Sequence, residues 1–256
     1  MTEQKPKRYV GVTGITTQEQ ALAICNSAPA DVSGLVMIGV LASEKTSFLG
    51  QVNKWPKRYP LTQNISGIFP NHHRALNLIH YNTKDASTLL RQLIRMTEIA
   101  GPNFHGFQLN MAWPSTGVLS SYRSFYPNET IVLQIGKNAF ERVQHVPSRL
   151  ATRICHYAGL VDYVLLDTSG GLGKEFNREE MRNYLLELKA LNLPIGLGTA
   201  GGLSSQTLGN IAPLVGEFKD LSMDAEGKLR DEKDNLILQE ACQYERDGFE
   251  LYREVG

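Results

Sequence analysis

The stretch Val161-Asp162-Tyr163-Val164-Leu165-Leu166-Asp167-Thr168 runs directly into Ser169-Gly170-Gly171-Leu172-Gly173-Lys174. A short apolar run that ends on a carboxylate and a glycine-rich turn reads as a buried strand feeding a loop. The next segment opens with Asn177 and Glu180 three residues later. It then carries an apolar stripe at Met181, Leu185 and Leu188, which spells an amphipathic helix with its own start signal. The same strand–loop–helix unit recurs on either side. Further strands are expected at Tyr9–Val12, Gly34–Val40, Leu76–His80, Gly106–Leu109, Thr130–Ile135, Pro194–Leu197 and Phe218–Leu221, with Val161–Leu166 as the sixth. These runs are apolar throughout instead of alternating, as parallel strands covered on both faces require. Thr16 with Glu19 and Pro147 as a first-turn proline mark other helix starts, and a last helix is expected from about Asp234 towards Glu254, weakened at Gly248.

Eight strands over 256 residues give about 32 residues per unit, the size of a (β/α)8 TIM barrel. A doubly wound sheet would call for a G-x-G-x-x-G turn after the first strand, and Gly11-Val12-Thr13-Gly14-Ile15-Thr16 lacks that spacing. The gap between the second and third strands is longer than the others. Its surplus, Ser43 to Pro60, reads as an insertion in the loop after strand two. One barrel domain over residues 1–256 is the expectation.

Composition excludes several classes. Twenty-six basic residues balance 26 acidic ones, so the chain lacks the net basic surface a nucleic-acid binder needs. The longest apolar run, Gly34 to Ala42, is too short to cross a bilayer, and charges stand in MTEQKPKRYV where a signal peptide is apolar. The three cysteines, Cys25, Cys155 and Cys242, are odd in number and far apart, each on a helix among apolar residues. That fits core packing in a reducing, cytoplasmic setting. The expected partner is a small molecule, with neither nucleic acid nor membrane involved; the oligomeric state is left open.

A barrel of this kind carries its chemistry at the C-terminal ends of its strands. Those ends are Thr13, Tyr81 or Asn82, Asn110, Gln134, Asp167, Thr199 and Ser222. Asp167 closes an apolar run, where desolvation raises a carboxyl pKa and suits a general acid; bracing a loop is its bland alternative. Glycines at Gly170 and Gly171, and at Gly201 and Gly202 ahead of Ser204-Ser205, let backbone N–H groups approach an anion. His72-His73 lacks a third ligand at metal spacing, so no metal site is expected. His80 and His105 flank strands and read as half-buried. Tyr122, Phe125 and Tyr126 read as packing, with a roof over the site as the alternative.

At these residues the sequence resembles the phosphoribosylanthranilate isomerase family of tryptophan synthesis. Gly11 to Thr16 is similar to the family's opening strand, and Gln108-Leu109-Asn110-Met111 to its Q-L-H-G. Leu165 to Asn177 is similar to its L-L-D-S/T followed by G-G-T-G-K-x-F-D. Ala200-Gly201-Gly202-Leu203 and Asp220 to Glu226 match its last two blocks, in order. The resemblance implies an Amadori-type acid/base isomerisation of a small sugar-derived substrate, phosphorylated or not, without metal or cofactor, and with Asp167 as general acid. Three positions depart. The family's base, a cysteine, is Thr13 here; an alcohol titrating near ~15.7 instead of ~8.5 is about 10 kcal/mol too weak. Asp224 replaces the glycine of the last phosphate-binding loop, and strand eight adjoins strand one. Asp224 therefore either faces Thr13, supplying the base or binding a hydroxyl or amine, or stands as a solvated loop residue. Arg58 in Pro56-Lys57-Arg58-Tyr59 resembles the family's substrate-carboxylate arginine but lies beyond the insertion. Thr13, Arg58, Asn110, Gly170, Gly171, Gly201, Gly202 and Ser222 are the expected substrate contacts, with Asp167 and Asp224 catalytic. A non-catalytic barrel that binds a metabolite or partner is the other reading.

Overall fold

Eight parallel strands pair in chain order and close on themselves: β1 (Tyr9–Thr13), β2 (Leu35–Ser43), β3 (Ala75–Asn82), β4 (Gly106–Leu109), β5 (Thr130–Ile135), β6 (Tyr163–Asp167), β7 (Gly196–Ala200) and β8 (Ser222–Ala225). The computed structural model describes residues 5–167 and 177–255. Between the strands run α1 (Gln18–Ser27), α2 (Glu44–Ser47), α3 (Ile65–Ile68), α4 (Leu89–Ala100), α5 (Thr116–Phe125), α6 (Lys137–Arg142), α7 (Pro147–Cys155), α8 (Arg178–Ala190), α9 (Ala212–Glu217) and α10 (Leu238–Val255). The fold is a (β/α)8 TIM barrel. No helix among the described residues is long and apolar enough to cross a membrane.

Alternation along each strand divides the core in two. Outward residues such as Val10, Val12, Val36, Ile38, Ile131 and Leu166 pack with the helices. Inward residues Tyr9, Met37, Leu76, Leu78, Val132, Tyr163 and Leu165 fill the barrel from its N-terminal end. Each large side chain so buried contributes about 1.5–3 kcal/mol. The β1–β8 seam is closed by Val10, Gly11 and Val12 opposite Met223, Asp224 and Ala225, and α10 lies against it. A Cβ on Gly248 would stand 3.0 Å from Val10 Cγ1 and 3.3 Å from Met223 Cε. Gly248 is thus a point of close helix–strand approach, not merely a weak spot. The Tyr252 hydroxyl, shared between Tyr9 O at 2.9 Å and Leu221 O at 2.7 Å, pins the same helix beneath the seam.

Several boundaries differ from the sequence reading, and the eighth strand matters most. Phe218–Leu221 is not a strand. Phe218 caps α9 and Leu221 closes the turn after it, donating its N–H to Phe218 O. The strand is Ser222–Ala225, whose inward residues are polar and so hid it from a search for apolar runs. β7 likewise runs Gly196–Ala200 instead of Pro194–Leu197, and the last helix begins at Leu238 because Asp231 holds residues 233 and 235 in a turn. Thr17 with Gln20, one step along from Thr16 with Glu19, forms the first capping box. β2 extends to Ser43, so the long connection starts at Glu44 and carries α2, two short 3₁₀ turns and α3 before β3. Cys25 is buried, Cys242 partly so, and Cys155 is exposed; only Cys25 is a core cysteine.

Candidate active site

The upper interior of the barrel, towards the strand C-termini, is polar. Thr13 follows Gly11 on the inward face of β1, and Gly39 of β2 pairs with it. A Cβ on Gly39 would lie 2.5 Å from Thr13 Oγ1, and one on Gly11 would lie 3.3 Å from Asp224 Oδ1. These two glycines leave the space in which Thr13 and Asp224 meet. Asp224 is on β8 itself, 5% exposed, and not in the following loop where it was expected. Its carboxyl accepts from Thr13 Oγ1 at 3.0 and 3.2 Å and from Gln108 Nε2 at 3.0 Å. Gln108 comes from β4, the strand opposite β8 in the ring, so this contact spans the barrel. Gln108 Nε2 also lies 3.2 Å from Gln134 Oε1, and Gln134 Nε2 donates to Asp167 Oδ2 at 3.1 Å. An unbroken chain, Thr13–Asp224–Gln108–Gln134–Asp167, thus joins the two carboxyls.

Burial pushes the Asp224 carboxyl up to about 7. The hydrogen bonds from Gln108 and Thr13 oppose the rise, and the charges of Glu226 and Asp167 add to it. A group poised there exchanges a proton readily near neutrality. His80, two residues beyond Leu78 on the inward face of β3, is 7% exposed; burial lowers its pKa, against the pull of Glu226 and Asp167. Asn110 stands just past β4, where its carbonyl accepts from Asn82 Nδ2 at 2.6 Å. Gly201 and Gly202 follow β7 with φ of 105° and 70°, a conformation glycine adopts freely, ahead of Ser204, whose side chain caps the next turn.

Two expected contacts, Ser222 and Arg58, and one strand-end residue, Thr199, are placed elsewhere. Ser222 is at the N-terminal end of β8, level with Gly198, fully buried, with its Oγ accepting from Tyr9 N at 3.1 Å. It supports the barrel floor and does not reach the mouth. Thr199 points outward into the helix layer, because its neighbours Gly198 and Ala200 take the inward positions. Arg58 reaches the loop after β8, but its guanidinium is committed: it is 2.6 Å from both Glu226 and Asp234 and 4.5 Å from the Trp55 ring centre. With Lys57 on Asn235 and Arg230 on Gly14 O, it straps the β2 and β8 connections together over the end of β1. Gly170 and Gly171 lie outside the described residues. Among those described, no cluster of His, Cys, Asp and Glu is arranged to hold a metal ion.

Gln108 was legible only as part of a motif and Gln134 only as a strand end, neither as an expected contact, and His80, expected half-buried, is buried. The missing signal was parity: each falls on the inward side of its strand, at the level where apolar filling stops.

The architecture and its interior carboxyls define a (β/α)8 barrel with a polar mouth. Solved structures similar to it include phosphoribosyl anthranilate isomerase from Thermus thermophilus, with a TM-score of 0.64 and 12% identity over 97% of this chain and 100% of that one. A phosphoribosyl anthranilate isomerase in complex with reduced 1-(o-carboxyphenylamino)-1-deoxyribulose 5-phosphate is similar at a TM-score of 0.61 and 14% identity, over 93% and 96% of the two chains. The active domain 2 of a chitinase from Pyrococcus furiosus is also similar, at 0.60 and 11%, over 99% and 97%. At such identities the likeness is one of fold, shared by barrels of different chemistry. No family model and no curated protein sequence matches the chain.

Proposed function

We propose that this barrel is an isomerase that acts by acid/base catalysis on a small sugar-derived substrate, phosphorylated or not. Asp167 serves as general acid, and Asp224 serves as the base that Thr13 cannot be. The observation that carries the reading is the placement of Asp224: buried against Thr13, held near neutrality by its surroundings, and bridged to Asp167 through two amides. On a ribosylamine, Asp167 would protonate the ring oxygen as the C1–O bond breaks, and Asp224 would take the C2 proton as the enolamine forms. One carboxyl gives a proton and the other receives one, so the step is redox-neutral. Thr13 and Gln108 aim the base, and Gln134 aims the acid. Gly201 and Gly202 are the described backbone positions suited to an anion. A non-catalytic metabolite-binding barrel is the second reading, favoured by the engagement of Arg58 with Glu226 and Asp234, two carboxylates that compete with any substrate carboxylate for it.

Turnover of phosphoribosylanthranilate and of its dephosphorylated counterpart by the purified chain tests this, together with complementation of a tryptophan auxotroph lacking the isomerase. Asp167→Asn and Asp224→Asn should each lower turnover about 10²–10⁴-fold. A folded chain that converts neither compound, or variants that match the wild type, would overturn the reading.

A further inference from the structure

In the polar upper layer of the barrel interior, above the Tyr9 level, two neighbouring buried polar atoms have no hydrogen-bond partner: Nδ1 of His80 and Oε1 of Gln108. They belong to residues in direct register across the β3–β4 ladder, so their side chains stand side by side on the inward face. Both are almost wholly inaccessible, His80 at 7% and Gln108 at 1%. The Gln108 amide nitrogen is already used on Asp224 and Gln134, which fixes its oxygen as the idle atom. Leaving a buried donor or acceptor unmet costs about 1–3 kcal/mol, so a neighbouring pair of them is an energetic vacancy that a ligand group can fill.

The chemistry of the pair selects that group. Burial holds the His80 imidazole neutral, so one ring nitrogen donates and the other accepts. Gln108 Oε1 only accepts. A hydroxyl meets both atoms at once, donating to Gln108 and accepting from His80. Among the described residues, an anion finds no support here. None of the eight strands contains a lysine or arginine, and Asp167, Asp224 and Glu226 surround the position.

We propose that His80 Nδ1 and Gln108 Oε1 form a hydroxyl-binding subsite that takes the uncharged polyol portion of the ligand and sets it against Asp224. The subsite deepens the isomerase reading by naming what part of the substrate enters the barrel, and it rests on that reading only for its place in catalysis. Any phosphate would then stay at the loops, outside this layer.

The full chain labelled with ¹⁵N-histidine, titrated with ribitol and D-ribulose, tests the proposal. His80 alone among the six histidines should shift, and inorganic phosphate should leave it unmoved. His80→Phe should weaken polyol binding by about tenfold or more. His80→Asn, whose amide nitrogen falls near the position of Nδ1, should bind within about threefold of wild type. An unmoved His80 at saturating polyol, or wild-type affinity in His80→Phe, overturns the subsite. Should His80→Phe fail to fold, the wild-type shifts and His80→Asn decide the matter. A chain that shows the His80 response but turns over no ribosylamine refutes the isomerase reading alone. Turnover with an unmoved His80 refutes the subsite alone.

Discussion

Replacing Asp224 by Asn should make the protein more stable, and by an amount set by pH. In the unfolded chain this carboxyl titrates at 3.8; in the folded barrel, burial raises it to about 7. Below 3.8 both states hold the proton and the group adds no cost. Between the two values the unfolded chain has released a proton that the native chain keeps, so stability falls as pH rises. Above about 7 the cost is complete: the gap, at about 1.36 kcal/mol per pH unit, comes to about 4 kcal/mol. Asn cannot ionise and escapes it. Its carbonyl can still accept from Thr13, and on rotation of the Gln108 amide its NH2 can donate to the idle Gln108 Oε1. Denaturation of both proteins across the pH range measures the difference. It should be near zero at the acid end and grow to about 4 kcal/mol above neutrality, on the order of 10 °C in Tm for a chain of this length. Asp224→Asn being the less stable protein near pH 8, or a difference independent of pH, would refute the reasoning. A stabilised variant with lost turnover would mark Asp224 as a group kept for function at the expense of the fold.

Arg58→Ala should destabilise by about 1.5–3 kcal/mol, because Glu226 and Asp234 both lose a charged donor at a position only 13% exposed; urea unfolding checks this, and no change would show that the strap contributes nothing. Glu245→Met should raise thermal stability, with a larger gain at higher pH. The Glu245 carboxyl is wholly buried on α10, both oxygens lack partners, and burial pushes its pKa well up, so the native state resists an ionisation that the unfolded state permits. A loss of stability in Glu245→Met above neutrality would contradict that account.

The strand-to-helix rhythm survived translation into three dimensions because outward barrel residues must be apolar whatever the strand does inside. Gly106–Leu109 and Thr130–Ile135 match their strands residue for residue, and the other early strands differ only at their ends. The rhythm failed at Ser222–Ala225, where Ser222 and Asp224 face inward and the apolar signal sits one turn earlier, in Phe218 and Leu221. That one shift moved Asp224 from a loop into the barrel and sent Ser222 to its floor. Arg58 shows a different limit. Its motif was legible, but its partners, Glu226 and Asp234, lie far along the chain, and no local pattern says which carboxylates an arginine will meet.

By itself the sequence determined the eightfold alternation, the closed parallel barrel, and a carboxylate at the end of the sixth strand. These follow from local periodicity and from the need to bury both faces of a parallel sheet. Tertiary structure alone decided which polar residues share the interior. Thr13, His80, Gln108, Gln134, Asp167 and Asp224 come from six strands, and barrel closure, with its stagger, brings β4 against β8 across the centre. The pKa of Asp224 has the same origin: desolvation belongs to the surroundings and cannot be read from the residue or its neighbours in the chain.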